Sequence, residues 1–146
     1  MSQMTPSTAP VVLTGGCHCR AVRFTVTLAE PEIIECNCSI CTMKGFLHLI
    51  VPQAALVVHG GLETMAEYRF HTRVARHTFC RVCGIHPFYV PRSHPDGWSV
   101  NANCLDDRNL VEQLPRVPIR RTQLGGPHPR DRVNPGSRSP PLRTYL

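Results

Sequence analysis

Seven of the eight cysteines in this chain fall into three tight clusters: Cys17-His18-Cys19, Cys36-Asn37-Cys38-Ser39-Ile40-Cys41 and Cys80-Arg81-Val82-Cys83-Gly84. Thiolates at such spacings can converge on one soft or borderline metal ion. The third cluster reads as a metal knuckle. Two sulfurs three residues apart across a tight turn can each reach an ion at about 2.3 Å, and the glycine that follows permits the positive φ that closes the turn. Cys17 and Cys19 stand two apart just before a strand, so both side chains can project to one side. Each pair supplies half of a tetrahedron. Cys17, Cys19, Cys80 and Cys83 together make the closed four-cysteine shell usual for structural zinc.

The middle cluster differs, because Cys36, Cys38 and Cys41 offer three sulfurs. Three protein ligands leave one tetrahedral position vacant, and a vacant position separates catalytic from structural zinc. The alternative is a second structural site, completed by Cys104 or a histidine. Ligand softness favours zinc over magnesium or calcium, with an iron–sulfur cluster as the lesser option. The histidines form no i, i+4 pair or other ligand pattern. His48 and His77 lie close enough in sequence to the clusters to support a ligand from outside the shell. Cys104, standing alone, reads first as a small buried hydrophobe.

The elements that must hold these clusters are short strands. Val22, Phe24, Val26 and Leu28 alternate with Arg23, Thr25 and Thr27, a period of two that marks a strand over 21–28. Further strands are expected over 33–36, 46–51, 56–59, 67–72, 77–80, 85–90 and 99–103, divided by turn signals such as Gly60-Gly61 and Cys83-Gly84. No segment sustains a period of 3.6, although Asp106 and Asp107 suit the start of a short helical turn over 105–114. The expected architecture is one mostly β, antiparallel domain over residues 14–114, after a flexible lead-in over 1–13. Residues 115–146 hold seven prolines and seven arginines and few large apolar side chains, and so read as a disordered tail.

The net charge of +6 belongs to that tail alone, since residues 1–114 carry nine basic and nine acidic side chains. The domain is neutral, and the tail offers at most weak, non-specific, salt-sensitive contact with a polyanion. The N-terminus shows neither a basic n-region nor an apolar h-region, and no apolar run approaches the length that spans a bilayer. The expectation is an intracellular chain without a membrane partner, cytoplasmic or nuclear, whose thiols stay reduced and available to metal.

The three clusters in this order resemble the glutathione-dependent formaldehyde-activating family, most closely its centromere protein V branch. The stretches that carry the resemblance are Gly15-Gly16-Cys17-His18-Cys19-Arg20-Ala21-Val22-Arg23-Phe24, Cys36 through Cys41, His77-Thr78-Phe79-Cys80-Arg81-Val82-Cys83-Gly84-Ile85, Phe88 through Ser93, and Asn103-Cys104-Leu105-Asp106-Asp107. They span roughly residues 14–110; from Pro115 onward the chain departs from the family pattern. The resemblance implies a zinc-bound β-tent (Mss4-like) fold and two zinc ions. Cys17, Cys19, Cys80 and Cys83 would hold a structural ion, and Cys36, Cys38 and Cys41 a labile catalytic one. The implied activity is that of a carbon–sulfur lyase acting on a thiol adduct such as S-hydroxymethylglutathione. Lys44 then reads as a cation offsetting the thiolates, Arg73, Arg76 and Arg92 as candidates for substrate carboxylates, and His48 as a candidate base. The rival reading is a zinc-stabilised binding module for chromatin or microtubules, without catalysis.

Overall fold

The computed structural model describes residues 9–70 and 72–119. In chain order it runs β1 (Val11–Gly16), β2 (Arg23–Leu28), β3 (Ile33–Cys36), α1 (Ser39–Lys44), β4 (Leu47–Pro52), β5 (Leu56–Gly60) and β6 (Met65–Tyr68). It continues through β7 (His77–Cys80), β8 (Phe88–Tyr89), β9 (Gly97–Asn101), α2 (Arg108–Gln113) and β10 (Arg116–Ile119). The strands form a three-stranded sheet β1-β2-β5, a five-stranded sheet β10-β3-β4-β9-β8 and the pair β6-β7. Every pairing is antiparallel except β10 with β3. The expectation of a small, mostly β domain is met.

The alternation in β2 does what a period of two requires. Phe24, Val26 and Leu28 are buried and face the core, together with Val22 just before the strand. Phe24 meets Phe88 edge-on at 5.8 Å, and Phe88 meets Trp98 edge-on at 5.3 Å, so aromatic contacts join the three-stranded sheet to the five-stranded one. Bridges between Gly15 and Leu105 and between Arg76 and Val90 tie the sheets together further.

Three expectations need correction. The lead-in is not flexible throughout, because Val11–Gly16 pairs along its length with β2 and Leu13 is buried. The domain does not end at Leu114, because Arg116–Ile119 lies parallel to β3. Pro118 is tolerated there because β10 is an edge strand, where a missing N–H breaks no inner ladder. The remaining residues of the basic stretch, 120–146, lie outside the described residues. Finally, Ser39–Lys44 is helical; six residues are too few to display a helical period in sequence. The short helix after Asp107 is as expected, with the Asp107 side chain accepting from the Leu110 N–H.

Candidate metal centres and the cavity beside them

The four-cysteine group is assembled by two turns. Gly16 brings the chain in so closely that a Cβ there would lie 2.1 Å from the Val22 carbonyl oxygen. The chain then reverses: the Arg20 N–H donates to the Cys17 carbonyl, with Arg20 at φ +65°, and the Cys17 N–H donates to the Val22 carbonyl. Cys17 and Cys19 therefore share a tight turn between two strands. At the other end, β7 delivers Cys80, and Gly84 at φ +78° closes the knuckle by donating its N–H to the Cys80 carbonyl. The Sγ atoms of Cys17 and Cys19 lie 3.5 Å apart and those of Cys19 and Cys80 3.7 Å apart. A tetrahedron of sulfurs about 2.3 Å from a common centre has edges of about 3.8 Å. The donor set fits a tetrahedral thiophilic ion.

The thiols of this group titrate apart: against the Ala21 backbone N–H, burial and hydrogen bonds with Cys17, Cys80 and Cys83 push Cys19 up to about 12, whereas Cys80 and Cys83 are lowered. Burial works against the Cys83 thiolate, yet the backbone N–H groups of Cys19 and Ile85 and the neighbouring thiols outweigh it and bring its pKa down to about 6. Cys104 belongs to neither cluster. Its sulfur lies 3.8 Å from the His86 carbonyl, and burial pushes its thiol up to about 12. Half-buried and packed against the core, it is a small hydrophobe outside both ligand groups.

The three-cysteine group is built by the end of β3 and the start of α1. Cys36 ends the strand, Cys38 caps the helix and Cys41 lies within it, buried. The ligand atoms of these three lie within 4.8 Å of one another, and among the described residues no fourth Cys, His, Asp or Glu joins them. Hydrogen bonding with Cys36 and Cys38 and then burial raise the Cys41 pKa.

His48 reaches the group as the sequence suggested. From β4 its Nε2 lies 3.2 Å from Cys41 Sγ, while Nδ1 lies 2.9 Å from Ser99 Oγ and 3.4 Å from the Tyr89 hydroxyl. With Cys41 as a thiolate ligand, the tautomer protonated on Nε2 donates to the sulfur and accepts at Nδ1; with Cys41 as a thiol the roles reverse. Of the two residues that orient this ring, Tyr89 was marked in the sequence only within the stretch Phe88 through Ser93, and Ser99 carried no signal, because β4, β8 and β9 meet only in the folded sheet.

His77 is placed differently. Its Nδ1 lies 3.0 Å from Lys44 Nζ, its ring stacks on Tyr89 at 4.8 Å, and its Nε2 is buried without a hydrogen-bond partner among the described residues. Burial, reinforced by the Lys44 charge, holds its pKa down to about 3, so the ring is neutral.

Beside the triad opens a cavity of about 250 Å³, lined by Glu35, Cys36, Cys41, Thr42, Phe46 and Asn103 among others. Arg116 of β10 pairs with Glu35 at 3.0 Å. Thus a strand absent from the sequence reading neutralises a carboxylate at this cavity. None of the three arginines proposed for substrate carboxylates lines it. Arg76 is paired with Glu67 at 2.9 Å, and Arg73 and Arg92 are exposed elsewhere.

Comparison with known proteins agrees with this geometry. Residues 12–119 match the model of the family described as glutathione-dependent formaldehyde-activating enzyme. A Halomonas elongata protein whose name carries the same description is 32% identical over 119 residues, covering 75% of this chain and 73% of its own. A Rhodobacter sphaeroides protein of known crystal structure superposes with a TM-score of 0.62 at 32% identity, over 72% of this chain and 100% of its own. The matched span takes in all three cysteine clusters and ends with β10, and on that span the chain belongs to the glutathione-dependent formaldehyde-activating enzyme family.

Proposed function

We propose that this protein is a zinc-dependent carbon–sulfur lyase that makes and breaks the adduct of a glutathione-type thiol with formaldehyde or a similar small aldehyde. The observation that carries the reading is the triad Cys36, Cys38 and Cys41, three sulfurs with no fourth protein ligand atom among the described residues, set at the wall of a cavity. In this reading Cys17, Cys19, Cys80 and Cys83 hold a structural zinc and the triad holds a second, exchangeable one. A zinc ion at the triad supplies Lewis acidity that keeps a small thiol deprotonated at neutral pH. The chain's own residues do the rest. The cavity admits the thiol beside Cys36 and Cys41, Phe46 gives an apolar wall against water, and His48, donating to Cys41, fixes that sulfur's orientation.

The reaction needs no oxidant. The thiolate sulfur forms a bond to the aldehyde carbon, the carbonyl π pair moves to oxygen, and the oxygen takes a proton; the reverse sequence is the lyase direction. None of the eight cysteines is in a disulfide, which suits a reducing cytoplasm or nucleus. No helix among the described residues is long and apolar enough to cross a membrane. The alternative chromatin- or microtubule-binding role drew on the centromere protein V resemblance and on the basic stretch, of which residues 120–146 lie outside the described residues.

The test is turnover of glutathione and formaldehyde by the purified protein, followed by NMR of the hydroxymethyl adduct. Cys38→Ser is expected to abolish catalysis and remove one of two zinc equivalents while the fold persists. If wild-type protein with two zinc ions fails to accelerate adduct exchange, the enzyme reading falls.

A further inference from the structure

Lys44 is the sole lysine of the chain; the other fifteen basic Lys/Arg positions are all arginine. It closes α1, the helix that carries Cys41. Its Nζ lies 4.7 Å from the Tyr89 ring centre and 5.0 Å from that of Phe46, with the His77 ring nitrogen at 3.0 Å. Phe46 is also a wall of the cavity beside the triad. The one primary side-chain amine of the protein thus stands half-buried in an aromatic corner next to the three-cysteine group.

We propose that Lys44 is a reversible covalent capture site for the aldehyde, holding it as a carbinolamine before release to the thiolate; this rests on the lyase reading for its substrate class. The Nζ lone pair forms a bond to the aldehyde carbon, the π pair moves to oxygen, and one nitrogen proton transfers to that oxygen. On release the hydroxyl proton returns to nitrogen, the C–N bond breaks and the carbonyl re-forms beside Phe46, the side chain that Lys44 shares with the cavity wall. His77 Nδ1 accepts a hydrogen bond from the amine in either protonation state, which leaves the lone pair of the neutral amine free to attack.

The surroundings favour a neutral amine more than solvent does. Desolvation is the largest influence on Lys44, the Cys41 and Cys38 charges oppose it, and its pKa settles at about 8. The remaining groups facing it add no acid. His77 is held neutral near 3, and His86 is pushed down to about 4 by burial and by Lys44 itself. The Phe46 and Tyr89 faces act the other way and steady the ammonium form.

Formaldehyde with sodium cyanoborohydride reduces the iminium, formed when the carbinolamine loses water, to a methylamine. Peptide mass mapping then reads Lys44 without interference from other lysines. At pH 7, Lys44 in the zinc-loaded protein is expected to be methylated about tenfold or more faster than Nα-acetyl-lysine. A rate equal to or below that of the free amine overturns the proposal. Lys44→Arg, checked for unchanged zinc content and circular dichroism, is expected to raise the KM for aldehyde in adduct formation; an unchanged KM also overturns it. Adduct turnover by a protein whose Lys44 is inert removes the capture site and leaves the lyase reading standing. Rapid methylation of Lys44 without adduct turnover does the reverse.

Discussion

At the scale of single residues, the two cysteine groups ask different things of their sulfurs. Cys80 is fully buried within the hydrophobic core cluster, so its replacement strikes both a ligand shell and the packing around it. Cys38 sits at a helix cap outside that cluster. Cys80→Ser is therefore expected to unfold the domain at physiological temperature, while Cys38→Ser lowers stability by no more than about 1–2 kcal/mol. Urea melts with zinc quantified by a chromogenic chelator compare them directly; equal destabilisation would make both sites structural. His48 shows a residue whose role was half legible. Its position near the clusters suggested outside support for a ligand, but only the fold shows that the sulfur it serves is Cys41 and that Ser99 and Tyr89 hold it.

At the scale of elements, the sites depend on segments whose sequences are plain. The β1–β2 turn works only because Gly16 lets the chain pass the Val22 carbonyl. Gly16→Ala is expected to cost about 2–4 kcal/mol and to loosen the four-cysteine zinc, since backbone must move to admit the methyl group. Chemical denaturation with metal-release kinetics tests this; a neutral substitution would mean the turn shifts freely. The β10 strand makes a second case. Its pairing satisfies the edge of β3, the strand that ends in Cys36, and the Asn37 N–H donates to the Ile119 carbonyl. A chain ending at Leu114 is expected to exchange the triad zinc faster than a chain ending at Ile119. The measurement is isotope exchange of zinc, and equal rates would show that β10 does not steady the site.

At the scale of the whole molecule, three small sheets share one core and leave two neutral histidines, the buried His77 and the half-buried His86, with pKa values of about 3 and about 4. Their folded values lie below the unfolded value near 6.5, so the unfolded chain binds more protons in between. Their contribution to stability is present above about pH 6.5 and is lost as the pH falls below it, amounting to about 2 kcal/mol by pH 5 for His77 alone and to less for the half-buried His86, whose charge water screens. Urea midpoints measured from pH 7.5 to 5 should fall accordingly, and less steeply in His77→Phe; an identical slope in that variant would assign the loss to thiolate protonation alone. By itself the sequence determined the two cysteine sets, the buried face of β2 and the neutrality of the domain. These follow from identity, spacing and a period of two, all local properties of the chain. The tertiary structure decided that no fourth ligand atom among the described residues joins Cys36, Cys38 and Cys41, that Val11–Gly16 and Arg116–Ile119 are strands, and that Lys44 faces His77, Phe46 and Tyr89 beside the triad. The β10–β3 pairing and the Lys44–His77 and Lys44–Tyr89 contacts are juxtapositions across long sequence separation, where pairing and burial override local composition.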